Sequence, residues 1–402
     1  MNKIAGFVLF LVILLHSSCR ISEDRLATRA DKIHRKILTI DSHCDTPLNM
    51  IRNDYDLGVR NDNGCVDFPR MKEGGLDAEF FVVFIGQGPR NDSAFSSVNM
   101  RADEIFRTIR ANIEKNSNIS GLACSPDEAY RLKNEGKRAA FIGLENGYAI
   151  GLDRTRLKHY YDLGARYMTL CHSMNNDICD SSTDCAGPEH DGLSSFGLQV
   201  VEEMNRLGMI IDVSHISDNA FYDVIHESKA PVIASHSSCR ALCEHPRNCT
   251  DDMLLALKEN GGVIQICIVS EYLKTPVPNP ELESKINDLT TRWGNPDTLN
   301  SEDRKKFRTE FQGIKETYTR LATVSDVVDH IDHVVQVSGI DHVGIGTDFD
   351  GGGRVEGCVD VSQMKNITIE LLRRGYSRSD IAKIWGGNLI RVFNEVQKIK
   401  DS

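Results

Sequence analysis

Residues 209–236 read MIIDVSHISDNAFYDVIHESKAPVIASH, and this stretch contains one complete repeat of the fold. The runs 209–214 and 231–235 are short, apolar and rich in Ile and Val, as in strands buried on both faces of a parallel sheet. Between them, residues 221–227 have the spacing of an amphipathic helix. A strand, a helix and a second strand in this order predict two parallel strands joined by a crossover helix.

The same alternation recurs along the chain and predicts an α/β protein with eight buried strands. The strands are predicted at 37–40, 79–85, 139–144, 166–171, 209–214, 231–235, 262–268 and 342–347. Helices are predicted at 102–115, from Ser125 onward, and at 196–207, 221–227, 253–259, 324–337, 362–374 and 378–397. This pattern predicts a (β/α)8 TIM-type barrel. The alternative, an open doubly wound sheet, would require a Gly-rich phosphate loop after an early strand, and neither GxGxxG nor GxxxxGK[ST] follows one.

Two segments are predicted to be long insertions, in the loops that follow the fourth and the seventh strands of this barrel. Residues 173–195 are rich in Asn, Asp, Ser and Gly, and residues 271–323 contain four prolines and many charges. Loops of this length in a compact domain are usually lids or binding loops. Apart from the amino terminus, residues 20–402 are therefore predicted to form a single catalytic barrel domain.

The amino terminus resembles an export signal. Lys3 is followed by an apolar run at 4–15 and then by His16, two serines and Cys19. Residues 1–19 therefore predict a signal peptide, because a membrane anchor needs ~20 apolar residues. If the signal is of the lipoprotein type, Cys19 carries a lipid that attaches the chain to a membrane. If it is an ordinary signal, the chain is released, so the predicted location is periplasmic, outer-membrane-anchored or secreted.

The composition and net charge exclude several other classes of protein. The 402 residues are 40% hydrophobic and 26% charged, which is typical of a folded globular protein and excludes a disordered or collagen-like chain. The formal net charge is −11. Because proteins that bind phosphate backbones are usually basic, this charge argues against a nucleic-acid partner.

Candidate metal-binding and acid/base side chains follow six of the predicted strands. They are His43 and Asp45 after the first strand, Glu145 after the third, His172 after the fourth, His215 after the fifth, His236 after the sixth and Asp348 after the eighth. In a barrel, the carboxyl ends of all strands form one rim, where active sites of this fold are built. A single histidine at a strand end is usually structural, so the prediction of a site rests on the joint pattern.

These residues suit a centre with two metal ions. His43 and Asp45 share one face of a strand, so this first pair can hold one divalent ion, while Cys44 points away. His215 and His236, the second pair, can hold another ion. Glu145 is the carboxylate available to bridge the two ions and so to reduce their repulsion. We therefore predict two Zn²⁺ per chain, with a hydroxide between them as nucleophile.

Two further residues of the rim are assigned to the chemistry of hydrolysis. Asp348 is the candidate acid/base that takes and returns a proton. His172 is the candidate hydrogen-bond donor to the oxyanion that forms when the carbonyl is attacked. Together with Glu145, these are the predicted catalytic residues.

At these residues the sequence resembles the membrane dipeptidase (renal dipeptidase) family of binuclear zinc peptidases, which belong to the amidohydrolase-type barrels. The resemblance covers about residues 33–396. It is carried by IDSHCDTP (40–47), GLENG (143–147), LCHSMNN (170–176), IDVSHIS (211–217), APVIASHSS (230–238), Arg247-Asn248, GTDFDG (346–351) and IWGGNLIRVF (384–393).

The resemblance implies a dipeptidase and assigns further residues. It implies the zinc ligands and the roles of His172 and Asp348 given above, with both also contacting substrate. Arg247 matches the arginine that holds the terminal carboxylate of a dipeptide, and Tyr272 matches a substrate-side tyrosine. Substrates would be L-L and also L-D dipeptides, and family members often form homodimers. Cys243 matches a disulfide cysteine of the family, but Thr275 stands at its partner position.

Two other functions remain open from the sequence. One is a different binuclear metal amidohydrolase, acting on a β-lactam, a cyclic amide or a phosphoester. Those relatives typically carry His-x-His on the first strand and a carboxylated lysine as bridge, whereas this chain has His43-x-Asp45 and no such lysine. The other is an exported binding lipoprotein with a decayed site, although all the candidate residues of the site are present.

Overall fold

The computed structural model describes residues 22–53, 55–294, 296 and 299–400. The predicted export signal, including Cys19, lies outside the described residues. None of the helices in the described ranges is both long enough and apolar enough to cross a membrane.

In the described residues, nine strands form one sheet that is almost closed on itself. They are β1 Ile40–Cys44, β2 Ala78–Phe84, β3 Ser120–Leu122, β4 Arg138–Glu145, β5 Ala165–Thr169, β6 Ile210–Asp212, β7 Ile233–Ser237, β8 Val263–Ile266 and β9 Val343–Ile345. Eight of them pair in parallel in the order β1-β2-β4-β5-β6-β7-β8-β9, while β3 pairs with the start of β4. The predicted (β/α)8 barrel is confirmed, and the short β3 is an addition that the sequence did not predict.

The barrel is closed by backbone contacts between its first strand and the residues after its last strand. The Asp45 N–H donates to the Phe349 carbonyl at 2.8 Å, and the Asp348 N–H donates to the His43 carbonyl at 3.0 Å. The buried Asp41 carboxylate reinforces this seam by accepting from the Thr347 N–H at 2.8 Å. The seam therefore brings two predicted site segments together although they are about 300 residues apart in the chain.

Helices pack around the outside of the barrel and across its amino-terminal end. They are Glu23–His34, Pro47–Asn53, Phe68–Gly74, Asp92–Lys115, Pro126–Asn134, Thr155–Leu163, Ser195–Leu207, Asp218–Glu227, Asp251–Asn260, Ser270–Leu273, Pro280–Trp293, Ser301–Tyr318, Val324–Val337, Lys365–Arg373, Arg378–Ala382 and Asn388–Ile399. The Ser125 side chain accepts from the Glu128 N–H and starts its helix as predicted. The helix predicted from residue 102 begins ten residues earlier, because Asn91 provides the cap for Asp92–Lys115.

Two hydrophobic layers hold the barrel together. The larger lies between the sheet and the outer helices, and the smaller fills the barrel interior. The carboxy-terminal helix Asn388–Ile399 closes the interior at the amino ends of the strands, where Phe393 packs on Phe141 with ring centroids 5.8 Å apart. The opposite end of the barrel, formed by the carboxyl ends of the strands, is therefore free to build a site.

The two predicted insertions differ in structure. The first contains no helix before Ser195, where the helix Ser195–Leu207 begins, and it is held to the rim by hydrogen bonds, including one from the Ser181 hydroxyl to the His172 carbonyl at 2.6 Å. Residues 271–323, predicted as a loop, instead contain the helices Pro280–Trp293 and Ser301–Tyr318. Asn279 and Asn300 cap these two helices, and Leu289 of the first helix is fully buried. Local capping thus overrides the proline-rich and charged composition.

All cysteines in the described part of the chain are free thiols. The Cys243 Sγ atom lies 3.9 Å from the Thr275 Oγ1 atom, so this position faces the residue where the resemblance places a disulfide partner. The threonine prevents that disulfide in this chain.

Candidate metal and substrate site

Glu145 ends β4, and its two carboxylate oxygens face different histidines. Its Oε1 atom lies 3.0 Å from His215 Nε2 and 3.4 Å from His236 Nε2. Its Oε2 atom lies 3.6 Å from His43 Nε2. One oxygen therefore faces the second pair and the other faces the first pair, which is the arrangement that a carboxylate needs to bridge two ions.

The first pair lies beside the candidate acid/base. Ligand atoms of His43, Asp45 and Asp348 all lie within 4.8 Å of one another. His43 Nε2 and Asp45 Oδ1 are buried and have no hydrogen-bond partner among the described residues. Buried polar atoms are rarely left unpaired, so these atoms fit the ligands of a cation.

The charges around the first pair also fit a cation. Burial raises the pKa of Asp45 well above its usual range, and repulsion from Glu145 raises it further. Burial and the charge of Glu145 likewise raise the pKa of Asp348 to about 7, against the opposing effect of His43. For His43, burial acts to lower the pKa, but the charges of Glu145, Asp45 and Asp348 outweigh it and raise the pKa to about 9. Three buried carboxylates that repel one another are stabilised by divalent ions.

The second pair supplies neutral imidazole nitrogens. Burial lowers the pKa of His215 well below its usual range, and the charge of Arg247 lowers it further. Burial has the same effect on the pKa of His236. Neutral imidazole is the form that binds a metal ion, so both rings are in a ligating state at neutral pH.

The backbone turns sharply where the site residues leave their strands. His215, Asp348 and Asn146, which follows Glu145, have φ angles of 71°, 60° and 78°. Residues other than glycine rarely adopt this left-handed conformation, and such strain is concentrated at functional sites. The turns redirect the side chains from the strand direction toward a common centre above the barrel.

His172 lies on the open side of this centre. Its Nε2 atom is 3.9 Å from Glu145 Oε1, and its side chain is 25% exposed, compared with 0–8% for the three other histidines of the site. The Phe84 ring packs edge-on against it at 4.8 Å between centroids. The exposure suits the predicted contact with substrate, although the distance to Glu145 would also allow a ligating role.

Arg247 is a buried cation next to the second pair. Its Nη2 group donates to the His236 carbonyl at 3.0 Å, and its Nη1 group donates to the Ser237 hydroxyl at 3.4 Å. The guanidinium carbon lies 5.6 Å from the centre of the Tyr272 ring. The ion pairs of the described residues include none for Arg247, and its Nε atom is buried without a partner there. A buried guanidinium in this state can bind an anionic ligand.

Two residues of the site were not singled out from the sequence. The Tyr167 hydroxyl lies 2.9 Å from His43 Nδ1, and the Ser235 hydroxyl lies 2.8 Å from His236 Nδ1. Both residues lie inside predicted strands, where a buried side chain is expected only to pack in the barrel interior. The one available signal was that each of these strands has an inward polar position close to a predicted metal-binding histidine.

Comparison with known proteins gives a consistent result. The sequence model described as "Membrane dipeptidase (Peptidase family M19)" matches residues 27–402. Dipeptidase tcpJ of Claviceps purpurea is 35% identical over 375 residues, which are 90% of this chain and 78% of that protein. Dipeptidase 3 of Rattus norvegicus is 31% identical over 389 residues, covering 94% of this chain and 69% of that protein. The crystal structure of the probable dipeptidase PvdM from Pseudomonas aeruginosa superposes with a TM-score of 0.82 at 32% identity, covering 94% of this chain and 99% of that one.

Proposed function

Because the chain belongs to the membrane dipeptidase family, peptidase family M19, and is a metallo-dipeptidase, we propose a role in peptide-bond hydrolysis for each residue of its site. Two Zn²⁺ ions would be held by the nitrogen and oxygen donors of the two pairs, with Glu145 contributing one oxygen to each. The division of the Glu145 oxygens between His43 and the second pair supports this assignment. When bound, the ions would supply Lewis-acid activation of water and of the scissile carbonyl group.

The side chains around the ions would move the protons and stabilise the developing charge. Asp348 Oδ1, 4.0 Å from His43 Nε2, would accept a proton from the attacking water and return it to the leaving amine. In the tautomer whose Nδ1 atom accepts from the Ser173 hydroxyl at 3.2 Å, His172 Nε2 carries the proton and would donate a hydrogen bond to the oxyanion. Burial lowers the pKa of His172, so the ring is neutral and does not compete with the ions through charge.

The position of Arg247 is the observation that supports a dipeptide as the substrate. Its guanidinium group is buried, has no carboxylate partner among the described residues, and is hydrogen-bonded to the carbonyl of the ligand His236. A carboxylate bound there is close to the metal centre, so only a short segment fits between it and the scissile bond. We infer that the enzyme selects dipeptides over longer peptides because Arg247 binds the free terminal carboxylate.

The same arrangement would accept either configuration in the carboxy-terminal residue. Arg247 would hold the carboxylate, and the metal centre would hold the amide, so neither contact depends on the side chain. Inverting the α-carbon exchanges the hydrogen and the side chain while both contacts remain. L-L and L-D dipeptides are therefore proposed as substrates.

The test is hydrolysis by the purified, zinc-loaded protein of L-Ala-L-Ala, L-Ala-D-Ala, L-Ala-L-Ala amide, L-Ala-L-Ala-L-Ala, a β-lactam and a cyclic amide. We expect turnover of the two free dipeptides, little turnover of the amide and tripeptide, and loss of activity with EDTA that Zn²⁺ restores. Turnover of only the β-lactam or the cyclic amide would instead favour another binuclear amidohydrolase. Two bound ions without turnover of any compound would favour a binding protein.

We also propose that the chain is exported and lipidated at Cys19. The support is the Lys3 start, the apolar run at 4–15 and the small residues before Cys19. Expression in a Gram-negative host followed by fractionation should place the wild-type chain in the membrane fraction and Cys19→Ala in a soluble exported fraction. Cytoplasmic wild-type protein would contradict export, and a soluble exported wild type would contradict lipidation alone.

A further inference from the structure

His43 forms a hydrogen bond with a residue from the opposite side of the barrel. Its Nδ1 atom lies 2.9 Å from the Tyr167 hydroxyl, and that hydroxyl lies 3.1 Å from the Ser42 carbonyl. A carbonyl can only accept, so the tyrosine O–H donates to Ser42 and its oxygen accepts from the Nδ1–H of His43. In the neutral ring, which is the form that binds a metal ion, this leaves the lone pair of His43 on Nε2, the atom that faces Glu145.

Gly143 makes room for this tyrosine. Tyr167 is fully buried, and its ring lies across the barrel interior beside Phe80, with ring centroids 5.2 Å apart. A Cβ atom added to Gly143 would overlap the Cζ atom and the hydroxyl of Tyr167. Gly143 stands two residues before Glu145 on the same strand, so the glycine of this motif permits the contact that orients His43.

The second pair is supported in a chemically different way. The Ser235 hydroxyl lies 2.8 Å from His236 Nδ1 and 2.6 Å from the Asp212 Oδ2 atom. The hydrogen bonds from His236 therefore end at the fully buried Asp212 carboxylate. The hydrogen bonds from His43 instead pass through the neutral Tyr167 phenol and end at the Ser42 backbone carbonyl. Partners of this kind fix the tautomer and orientation of metal-binding imidazoles.

We propose that Tyr167 is the positioning residue for His43, so that its hydroxyl strengthens ion binding at the first pair without affecting the second pair. The inference rests on the proposed two-metal centre. It concerns metal affinity, so it can be tested without any substrate.

The experiment measures Zn²⁺ affinity by competition with a chromophoric chelator, in wild type, Tyr167→Phe, Ser235→Ala and the double variant. Tyr167→Phe keeps the ring and its packing, so the metal-free protein should still fold, with an unfolding temperature lowered by the loss of the two hydrogen bonds. We expect Tyr167→Phe to retain one tightly bound ion and to bind the other roughly 10- to 100-fold more weakly. Ser235→Ala should also weaken one ion, and the double variant should weaken both.

The outcomes separate the alternatives. Unchanged affinity for both ions in Tyr167→Phe, or equal weakening of both, would overturn the inference, because a general structural role weakens both sites together. A double variant that still keeps one tight ion would also overturn it, since both residues would then act on the same ion. A wild-type chain that binds fewer than two ions would contradict the two-metal centre itself.

Discussion

The Nε2 atoms of His215 and His236 lie 2.8 Å apart. Burial lowers the pKa of both rings well below the usual range of histidine, so both are neutral at physiological pH. At this separation, either one Nε2 carries a proton that it donates to the lone pair of the other, or both lone pairs face a shared cation. The Glu145 Oε1 atom, 3.0 Å from His215 Nε2, adds negative charge at the same point. The side chains of the second pair are therefore arranged for a cation.

Metal removal should lower stability as well as activity, because it leaves these lone pairs and three buried carboxylates without a counter-charge. At a free Zn²⁺ concentration 1,000 times the dissociation constant, each ion stabilises the fold by about 4 kcal/mol. Thermal unfolding with and without a chelator should show a lower transition temperature in the chelated protein and recovery when Zn²⁺ is added back. An unchanged transition temperature would contradict a tightly bound metal centre.

Asp348→Asn should remove proton transfer while preserving the size and hydrogen bonding of the side chain. We expect both ions to remain and turnover to fall roughly 10²- to 10⁴-fold, the range for loss of a general acid/base. Metal analysis and steady-state kinetics on the same preparation test this. If turnover is unchanged with both ions present, Asp348 does not handle the proton.

Arg247→Ala should weaken binding of the substrate carboxylate. We expect KM for a free dipeptide to rise roughly 30-fold, equivalent to about 2 kcal/mol, and the preference over the amidated dipeptide to disappear. Arg240 is a matched control, because it lies on the same loop but already pairs with Asp218 at 2.6 Å. Arg240→Ala should keep the preference. Equal KM values for wild type and Arg247→Ala would contradict the carboxylate assignment.

Gly351→Ala should disrupt the first pair. A Cβ atom at this position would overlap Asp348 Oδ1 and Asp45 Oδ2, so one or both carboxylates must move. We expect loss of one bound ion and most of the activity. Gly313→Ala is the control, since a Cβ there has no heavy atom within 4 Å. Two ions and full activity in Gly351→Ala would show that the carboxylates tolerate displacement.

His34 should make stability depend on pH. Its Nδ1–H donates to the Gly75 carbonyl at 3.1 Å, and its Nε2 atom, 2.6 Å from the Thr368 hydroxyl, must accept. Burial lowers the pKa of His34 to about 4, against an unfolded value near 6.5. The unfolded state therefore binds more protons below pH 6.5. This contribution to stability is fully present above that pH and falls by about 3 kcal/mol as the pH drops to 4.

Urea unfolding between pH 4.5 and 7.5 checks this dependence. His34→Gln can keep both hydrogen bonds without titrating, so its stability should fall less than that of the wild type as pH decreases. His226→Gln is the control, because that ring is 85% exposed. Parallel curves for wild type and His34→Gln would show that His34 does not titrate between the two states.

Much of the fold was predictable because burial imposes a local pattern on sequence. The run at 139–144 was predicted as a strand, and β4 spans Arg138–Glu145. Errors arose where local caps or pairing partners decide the outcome. The strand predicted at 37–40 is instead Ile40–Cys44, so His43 lies inside β1, where the pairing with β2 shifts register between Asp41 and Cys44. Register of this kind depends on the neighbouring strand and leaves little trace in a single segment.

By itself, the sequence determined the alternation of buried strands with helices and the placement of histidines and acids at strand ends. Both are local properties, set by which side chains must avoid water and which residue ends a strand. Only the tertiary structure decided that one oxygen of Glu145 faces His43 while the other faces His215. The same holds for the path of Tyr167 across the interior and the packing of Gly351 on two carboxylates. These relationships depend on barrel closure and strand register, which set distances between residues far apart in the chain.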